Sequence, residues 1–139
     1  MTLSRDDLQK IARVKLDDAA LLFDHGRYSN SYYLFGYAVE IALKARIAAV
    51  FSSETIPDKK FVNDIYSHDL DKLVRLAGLD GLLKTEREQS PAFEAYWSTV
   101  SDWSEDKRYD IIDVFRATAM RNAMTDQEHG VFRWLQHHW

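Results

Sequence analysis

The stretch that decides the fold is residues 26–46, which read GRYSNSYYLFGYAVEIALKAR. Its first glycine predicts a turn, and the helix predicted after that turn is apolar on nearly every face. Two charged residues interrupt the apolar surface, Glu40 and Lys44, which lie one helical turn apart. A helix that is apolar all round has to be covered by protein on most sides. We therefore expect this helix to lie at the centre of a bundle.

The composition favours one helical domain. A chain of 139 residues is long enough to bury a continuous core. Two prolines and five glycines are few, which favours long helices over a turn-rich β architecture. Hydrophobic residues at 46% and charged residues at 29% are an ordinary globular balance. We expect residues 1–139 to form a single all-α domain, an up-down bundle of four to six helices.

Composition and motifs also exclude several classes of protein. The absence of cysteine rules out disulfides and thiolate metal sites, and no spacing of histidines and carboxylates is typical of a metal site, so we expect neither metal nor cofactor. No signal peptide is visible, and charges break the longest apolar run, so we expect a cytoplasmic protein without a membrane span. A net charge of −4 gives no general attraction to nucleic acid. Any RNA contact therefore has to be local and arginine-based.

Helical periodicity and capping residues divide the first half of the chain into a hairpin. Apolar residues recur at helical spacing over 6–24, with Ser4 as a predicted N-cap and Gly26 as the stop. The second helix should begin near Ser29 or Asn30, which are both good caps, and end near residue 51. The short connection between them predicts an antiparallel pair.

Glycine, proline and polar residues divide the second half. We expect a loop over 52–60, followed by one or two short helices over 61–77 that are divided at 67–69 and broken by Gly78 and Gly81. Pro91 should open a helix over 92–100. A polar connection over 102–106 should then lead to a long helix from Arg108 or Tyr109. The buried face of that long helix should carry Ile112, Phe115 and Ala119, and Gly130 should bend the chain into a closing segment.

Three segments carry a resemblance to a known family. Residues 26–46 are the first, His68-Asp69-Leu70 is the second, and Trp103 with Arg108-Tyr109 is the third. They resemble, in turn, the second helix, a His-Asp-Leu helix start and the residues before the last long helix of HEPN domains. These are small all-helical domains known from prokaryotic defence and toxin modules. The resemblance implies a HEPN-like bundle.

The resemblance also implies a chemistry. Many HEPN proteins are metal-independent endoribonucleases that use an arginine followed, after four to six residues, by a histidine, with two copies meeting across a dimer interface. Here Arg121-Asn122 matches the start of that motif, and the window for the histidine holds Asp126, Gln127 and Glu128. The histidine that follows is His129. Relatives are often encoded beside a nucleotidyltransferase-like protein, so the resemblance implies that class of partner.

The resemblance implies two alternative functions. The first is a catalytically degenerate HEPN-type module, in a defence or toxin–antitoxin system, that binds a partner protein, a nucleotide or RNA near Arg108, Tyr109, Asn122 and Asp126. The alternative is a metal-independent endoribonuclease that acts as a homodimer. In that reaction His129 would move a proton as a ribose 2′-hydroxyl attacks the phosphate, and Arg121 would stabilise the phosphoryl charge.

The charged pair of the second helix predicts either a polar seam or an interface. Glu40 and Lys44 have the spacing and order of a helical ion pair, and Tyr33 and Tyr37 lie on the same stripe. In so apolar a helix, these four residues belong either to a polar seam inside the bundle or to a subunit interface. We expect a homodimer through the hairpin and the last long helix.

Overall fold

The computed structural model describes residues 3–51 and 56–139, and these residues form an all-α bundle, as predicted. Its elements are α1 (Arg5–Asp24), α2 (Tyr28–Val50), α3 (Lys59–Asp64), α4 (Leu70–Leu76), α5 (Asp80–Gln89), α6 (Pro91–Ser101), a 3₁₀ turn (Glu105–Tyr109), α7 (Val114–Thr125) and α8 (Val131–His138). The described residues thus hold eight α-helices, more than the four to six expected, because the second half is built from short pieces. None of these helices combines the length and the apolarity that crossing a bilayer requires.

The ends of α1 follow their local sequence. The Ser4 side chain accepts a hydrogen bond from the Asp7 amide, and the Asp7 carboxylate accepts one from the Ser4 amide, both at 3.1 Å. These two bonds form a capping box at the predicted N-cap. After the helix, Gly26 has a φ of 75°, a left-handed conformation that glycine adopts at no steric cost.

The predicted start of α2 was wrong by one or two residues. The helix begins at Tyr28, and Arg27 occupies the cap position without a side-chain hydrogen bond. Ser29 lies inside the helix, and its hydroxyl accepts a hydrogen bond from the Ile112 amide at 2.9 Å. A side chain that the sequence predicted to cap the helix therefore binds a segment that is distant in the chain.

α2 lies at the centre of the bundle. It contacts α1, α4, α7, α8 and the 3₁₀ turn, and twelve of its 23 residues are buried. α1 packs along it, and the Ser31 hydroxyl joins the two helices by donating to the Ala19 carbonyl at 2.7 Å. Apolarity on every face is therefore matched by cover on most sides.

Predictions for the middle of the chain were partly right. The expected division at 67–69 separates α3 from α4, and Pro91 is the first residue of α6. The predicted 52–60 loop lies partly outside the described residues, and its last two positions already belong to α3. Gly78 follows the end of α4 and has a φ of 70°, as expected for a glycine that stops a helix. Gly81 does not interrupt a helix, since it lies in the first turn of α5.

The prediction of a long helix from Arg108 or Tyr109 was wrong. Residues Glu105–Tyr109 form the 3₁₀ turn, and α7 begins only at Val114, after Asp113 has capped the Arg116 amide at 2.9 Å. The predicted buried face was right for Ile112, which is buried ahead of the helix, and wrong for Phe115 and Ala119, which are exposed. The face that packs on the core carries small and flexible side chains: Ala117, Met120, Ala123 and Met124.

Candidate functional site

A buried carboxylate occupies the middle of α2. Glu40 is 0% exposed, and its two carboxylate oxygens have separate partners. Lys44 Nζ lies 3.2 Å from Oε2, and His68 Nδ1 lies 2.9 Å from Oε1. These contacts make Glu40 part of a polar seam inside the bundle, and the subunit interface expected along this stripe stays a prediction.

His68 connects this seam to the 3₁₀ turn. Its second ring nitrogen, Nε2, lies 3.2 Å from Glu105 Oε2, and Glu105 Oε1 accepts a hydrogen bond from Arg108 at 3.0 Å. A row of acidic and basic side chains, which we call the charged row, thus runs from Glu40 through His68 and Glu105 to Arg108 at the surface. Sequence reasoning missed this row, since its members come from three separate segments.

Tyr33 and Tyr37 lie half-buried on the same face of α2. Their rings are in edge contact, with centroids 5.9 Å apart. Burial raises the pKa of both phenols, and nearby carboxylates raise it further, mainly Glu105 for Tyr33 and Glu40 for Tyr37. Both rings therefore keep their protons at neutral pH and serve as apolar cover beside the charged row.

Trp103 closes the seam from the side of the 3₁₀ turn. Its indole lies directly on Gly36, where a Cβ would overlap the ring, and its centroid is 5.8 Å from that of Tyr33. No described residue accepts a hydrogen bond from the buried indole nitrogen, so packing alone holds this side chain.

The charged row borders an open, acidic cleft. Its volume is about 400 Å³, and its lining includes His68, Trp103, Glu105 and three aspartates, Asp69, Asp71 and Asp106. Carboxylates at this density repel phosphate. Both nitrogens of His68 already face carboxylates of the chain, one on α2 and one on the 3₁₀ turn. The geometry supports a bridging role for His68 rather than acid–base catalysis.

Arg121 lies on α7 and faces α1. Its guanidinium carbon is 4.2 Å from the centre of the Phe23 ring, a cation–π distance. One of its amino groups lies 3.3 Å from the Asn122 side-chain oxygen. The structure therefore places the predicted catalytic arginine against the hairpin, with the predicted binding residue Asn122 beside it.

His129 lies outside α7, in the turn that leads to α8. The Asp126 carboxylate shapes this turn by accepting from the amides of Glu128 at 3.3 Å and His129 at 2.8 Å. Gly130 is required there, because a Cβ would overlap the Asp126 carbonyl oxygen. The His129 ring faces Ser90, with Nδ1 3.4 Å from the hydroxyl. Within the described residues, no hydrogen bond joins Arg121 to His129.

His129 and residues of α8 line a small cavity. The cavity has a volume of about 140 Å³ and is lined by His129, Arg133, His137 and His138, together with Glu86 and Glu128. Four residues separate Arg133 from His138 in the sequence. This number lies within the arginine-to-histidine spacing of four to six residues that the sequence analysis applied only to Arg121. Arg133 is partly engaged, since it donates to the Glu128 carbonyl at 2.7 Å.

Arg108 and Tyr109 begin an exposed apolar surface. The Arg108 guanidinium lies 4.9 Å from the centre of the Tyr109 ring. Beyond them, Ile111 is 96% and Phe115 81% exposed, and Tyr109 itself is 75% exposed. We call Tyr109, Ile111, Val114 and Phe115 the apolar strip. Sequence reasoning missed it because it assigned Phe115 to the core.

Among residues 3–51 and 56–139, no group of three histidine, aspartate or glutamate side chains has the arrangement of a metal site. Comparison of the chain with models of known protein families, with curated proteins and with solved structures finds no match.

Proposed function

We propose that this chain is a catalytically degenerate HEPN-type module that binds protein, and that the apolar strip is its binding surface. The observation that carries this proposal is the exposure of Tyr109, Ile111 and Phe115, at 75%, 96% and 81%. Three large apolar side chains within seven residues are left in water by a fold that exposes only two of its sixteen other aromatic rings, Phe51 and Tyr66. Contiguous exposed apolar surface is typical of protein–protein interfaces.

The size of the strip fits the core of an interface. An aromatic side chain buries about 150–250 Å² on association, so the four residues together offer a few hundred Å². A standard interface buries about 800 Å² on each partner. The strip therefore supplies the apolar centre, and the polar residues around it complete the rim.

The charges around the strip favour a second copy of the chain as the partner. Asp110 and Asp113 lie between Lys107 and Arg108 on one side and Arg116 on the other in the sequence, so both signs are present in one patch. In a two-fold symmetric interface the same patch faces itself, and a patch with both signs allows each acid to meet a base. Nucleic acid would need a patch of one sign. We therefore propose a homodimer, with a nucleotidyltransferase-like protein as the other candidate partner.

Light scattering on Phe115→Asp and Ile111→Asp tests this surface. The wild-type chain should have the mass of a dimer at micromolar concentration, and both variants should have the mass of a monomer. Leu82→Asp is the matched control, because Leu82 is an exposed apolar residue of α5 outside the strip. Dimers in the Phe115 and Ile111 variants would refute the role of the strip. A monomeric wild type would refute the second copy and leave the strip to a different protein.

One observation favours the alternative, a metal-independent endoribonuclease. His129 shares its cavity with Arg133, which would supply the cation that Arg121 was expected to supply. Glu86 and Glu128 line the same cavity and oppose phosphate binding, so we rank this function second. Incubation of the chain with a mixed RNA pool in chelator tests it. Cleavage that is lost in His129→Ala and Arg133→Ala would favour the nuclease, and an uncut pool would eliminate it.

A further inference from the structure

The two ring nitrogens of His68 make different contacts with two carboxylates. Nδ1 lies 2.9 Å from a Glu40 oxygen, and Nε2 lies 3.2 Å from a Glu105 oxygen. An ionised carboxylate only accepts hydrogen bonds, whereas a neutral imidazole has one N–H and one bare nitrogen. The Nδ1 contact is a hydrogen bond, and the Nε2 contact is an ion pair when the ring is an imidazolium. With one proton fewer, one of them sets a lone pair against a carboxylate.

The two carboxylates do not compete equally for the remaining proton. Glu40 is fully buried, so no water can replace a lost partner. The Glu105 side chain is 30% exposed and keeps the hydrogen bond from Arg108 at 3.0 Å. A neutral His68 therefore keeps its N–H on Glu40 and releases Glu105.

Glu105 is the first residue of the 3₁₀ turn, and Tyr109, the first residue of the apolar strip, is its last. Other contacts hold the flanks of this segment, since Trp103 packs on Gly36 and the Ile112 amide donates to Ser29. Release of Glu105 would therefore loosen the turn without detaching the chain on either side.

We propose that His68 is a proton-dependent latch that fixes the 3₁₀ turn, and with it one end of the apolar strip, to the core of the bundle. The regulatory part of this inference rests on the proposed function of the strip. A fixed turn presents Tyr109 in one conformation and lowers the entropy cost of association.

Histidine is the side chain that ordinarily changes charge between about pH 5 and pH 8, and His68 is the histidine of its cluster. The groups around it are Glu40, Lys44, Tyr33 and Tyr37 from α2, Asp69 and Asp71 from the start of α4, and Glu105, Asp106 and Arg108 from the 3₁₀ turn. Carboxylates titrate ordinarily below this interval, and amines, guanidinium groups and phenols above it.

Nuclear magnetic resonance on the Phe115→Asp background tests the latch without any partner. The backbone order of residues 105–110, measured by heteronuclear NOE, should fall as the pH rises from about 5 to about 8, with the same midpoint as the His68 ring signal. A turn whose order does not change across this interval would overturn the latch.

Two variants should abolish the pH dependence, one by leaving the turn loose and the other by keeping it ordered. His68→Gln leaves Glu105 without its second partner, so the turn should be loose at every pH. Glu105→Gln can accept from an imidazolium or donate to a neutral ring, so the turn should be ordered at every pH. If His68→Gln fails to fold, Glu105→Gln still decides, because a pH dependence that survives in it refutes the latch. His25→Gln, at an exposed position after α1, should behave as the parent.

The link to association has its own readout. The dimer of the wild-type chain should dissociate more readily at the upper end of this pH interval, and Glu105→Gln should remove that difference. A dimer affinity that is constant while the turn loses its order would refute regulation by the latch, although the strip would remain the interface.

Discussion

The carboxylate of Glu40, which is sealed from solvent, lies 2.9 Å from the ring of His68, a residue 28 positions further along the chain. This contact joins the centre of α2 to the segment that precedes α4. An ionised carboxylate in an apolar helix is stable only while cations and hydrogen-bond donors satisfy it. The pair is therefore a structural requirement of the fold as well as a link to its surface.

His68→Ala should lower the free energy of unfolding by about 2 kcal/mol, because it leaves one oxygen of a buried carboxylate unsatisfied while Lys44 still holds the other. Urea unfolding measures this loss. Glu40→Gln should reduce the cost of His68→Ala in a double-mutant cycle, since an amide needs less compensation. His25→Ala, at an exposed position, should change stability by less than about 0.5 kcal/mol. Equal losses for His68→Ala and His25→Ala would contradict this reading.

Gly36→Ala and Gly81→Ala should have opposite effects, although both glycines lie within helices. A Cβ at Gly36 overlaps the Trp103 ring, so overpacking should cost about 1–3 kcal/mol and outweigh the gain in helix propensity. A Cβ at Gly81 meets nothing within 4 Å, so that variant should gain up to about 1 kcal/mol. Thermal unfolding of the two variants compares them directly, and stabilisation by Gly36→Ala would contradict close packing of Trp103 on Gly36.

His138 should make the fold sensitive to mild acid. Burial lowers its pKa below the ordinary 6.5, and the charges of Arg46 and His137 lower it further. The unfolded chain therefore binds the proton first as the pH falls, and this residue's contribution to stability is lost from about pH 6.5 down to the folded pKa. His138→Gln should flatten that part of the stability curve in urea unfolding at pH values on both sides of the ordinary pKa. An unchanged slope would contradict the burial of the ring.

Arg121→Ala separates a structural arginine from a catalytic one. Its guanidinium stacks on Phe23 at 4.2 Å, so the substitution should cost about 0.5–1 kcal/mol of unfolding free energy. Arg121→Lys should recover part of that loss because it keeps the cation. A stability unchanged in both variants, together with a loss of RNA cleavage, would return Arg121 to the catalytic role that the sequence suggested.

Features of the fold that depend on neighbouring residues could be predicted from the sequence. The capping box at Ser4 and the stop at Gly26 are set within a few residues of the helix ends, and Pro91 is compatible with a helix only in its first turn. The central place of α2 also follows from a local property, since its apolar residues occupy every face.

The start of α7 could not be placed by apolar periodicity. The large side chains of Ile112 and Phe115 suggested one buried face, but the cap at Asp113 begins the helix in a register that buries Ala117 and Met120. Asp113 was the readable signal, because aspartate is a preferred N-cap. The exposure of Phe115 follows from this register, and for that reason the apolar strip emerged only from the structure.

The charged row was equally hidden from the sequence. His68 and Glu105 each lie in segments whose local pattern predicts a turn, and nothing within a few residues indicates that they meet. A buried carboxylate in an apolar helix does predict that a partner exists, but the identity of that partner is set by the packing of α4 and the 3₁₀ turn against α2.

Arg46 joins the ends of two short helices that are far apart in the sequence. From α2 its guanidinium donates to the Ala77 carbonyl at 3.3 Å and to the His138 carbonyl at 3.1 Å, so one side chain closes the carboxyl ends of both α4 and α8. Helices of seven and eight residues have no stability of their own. Transient excursions from the native state should therefore release α4 and α8 together, with a common hydrogen-exchange free energy, although 54 residues separate them in the chain.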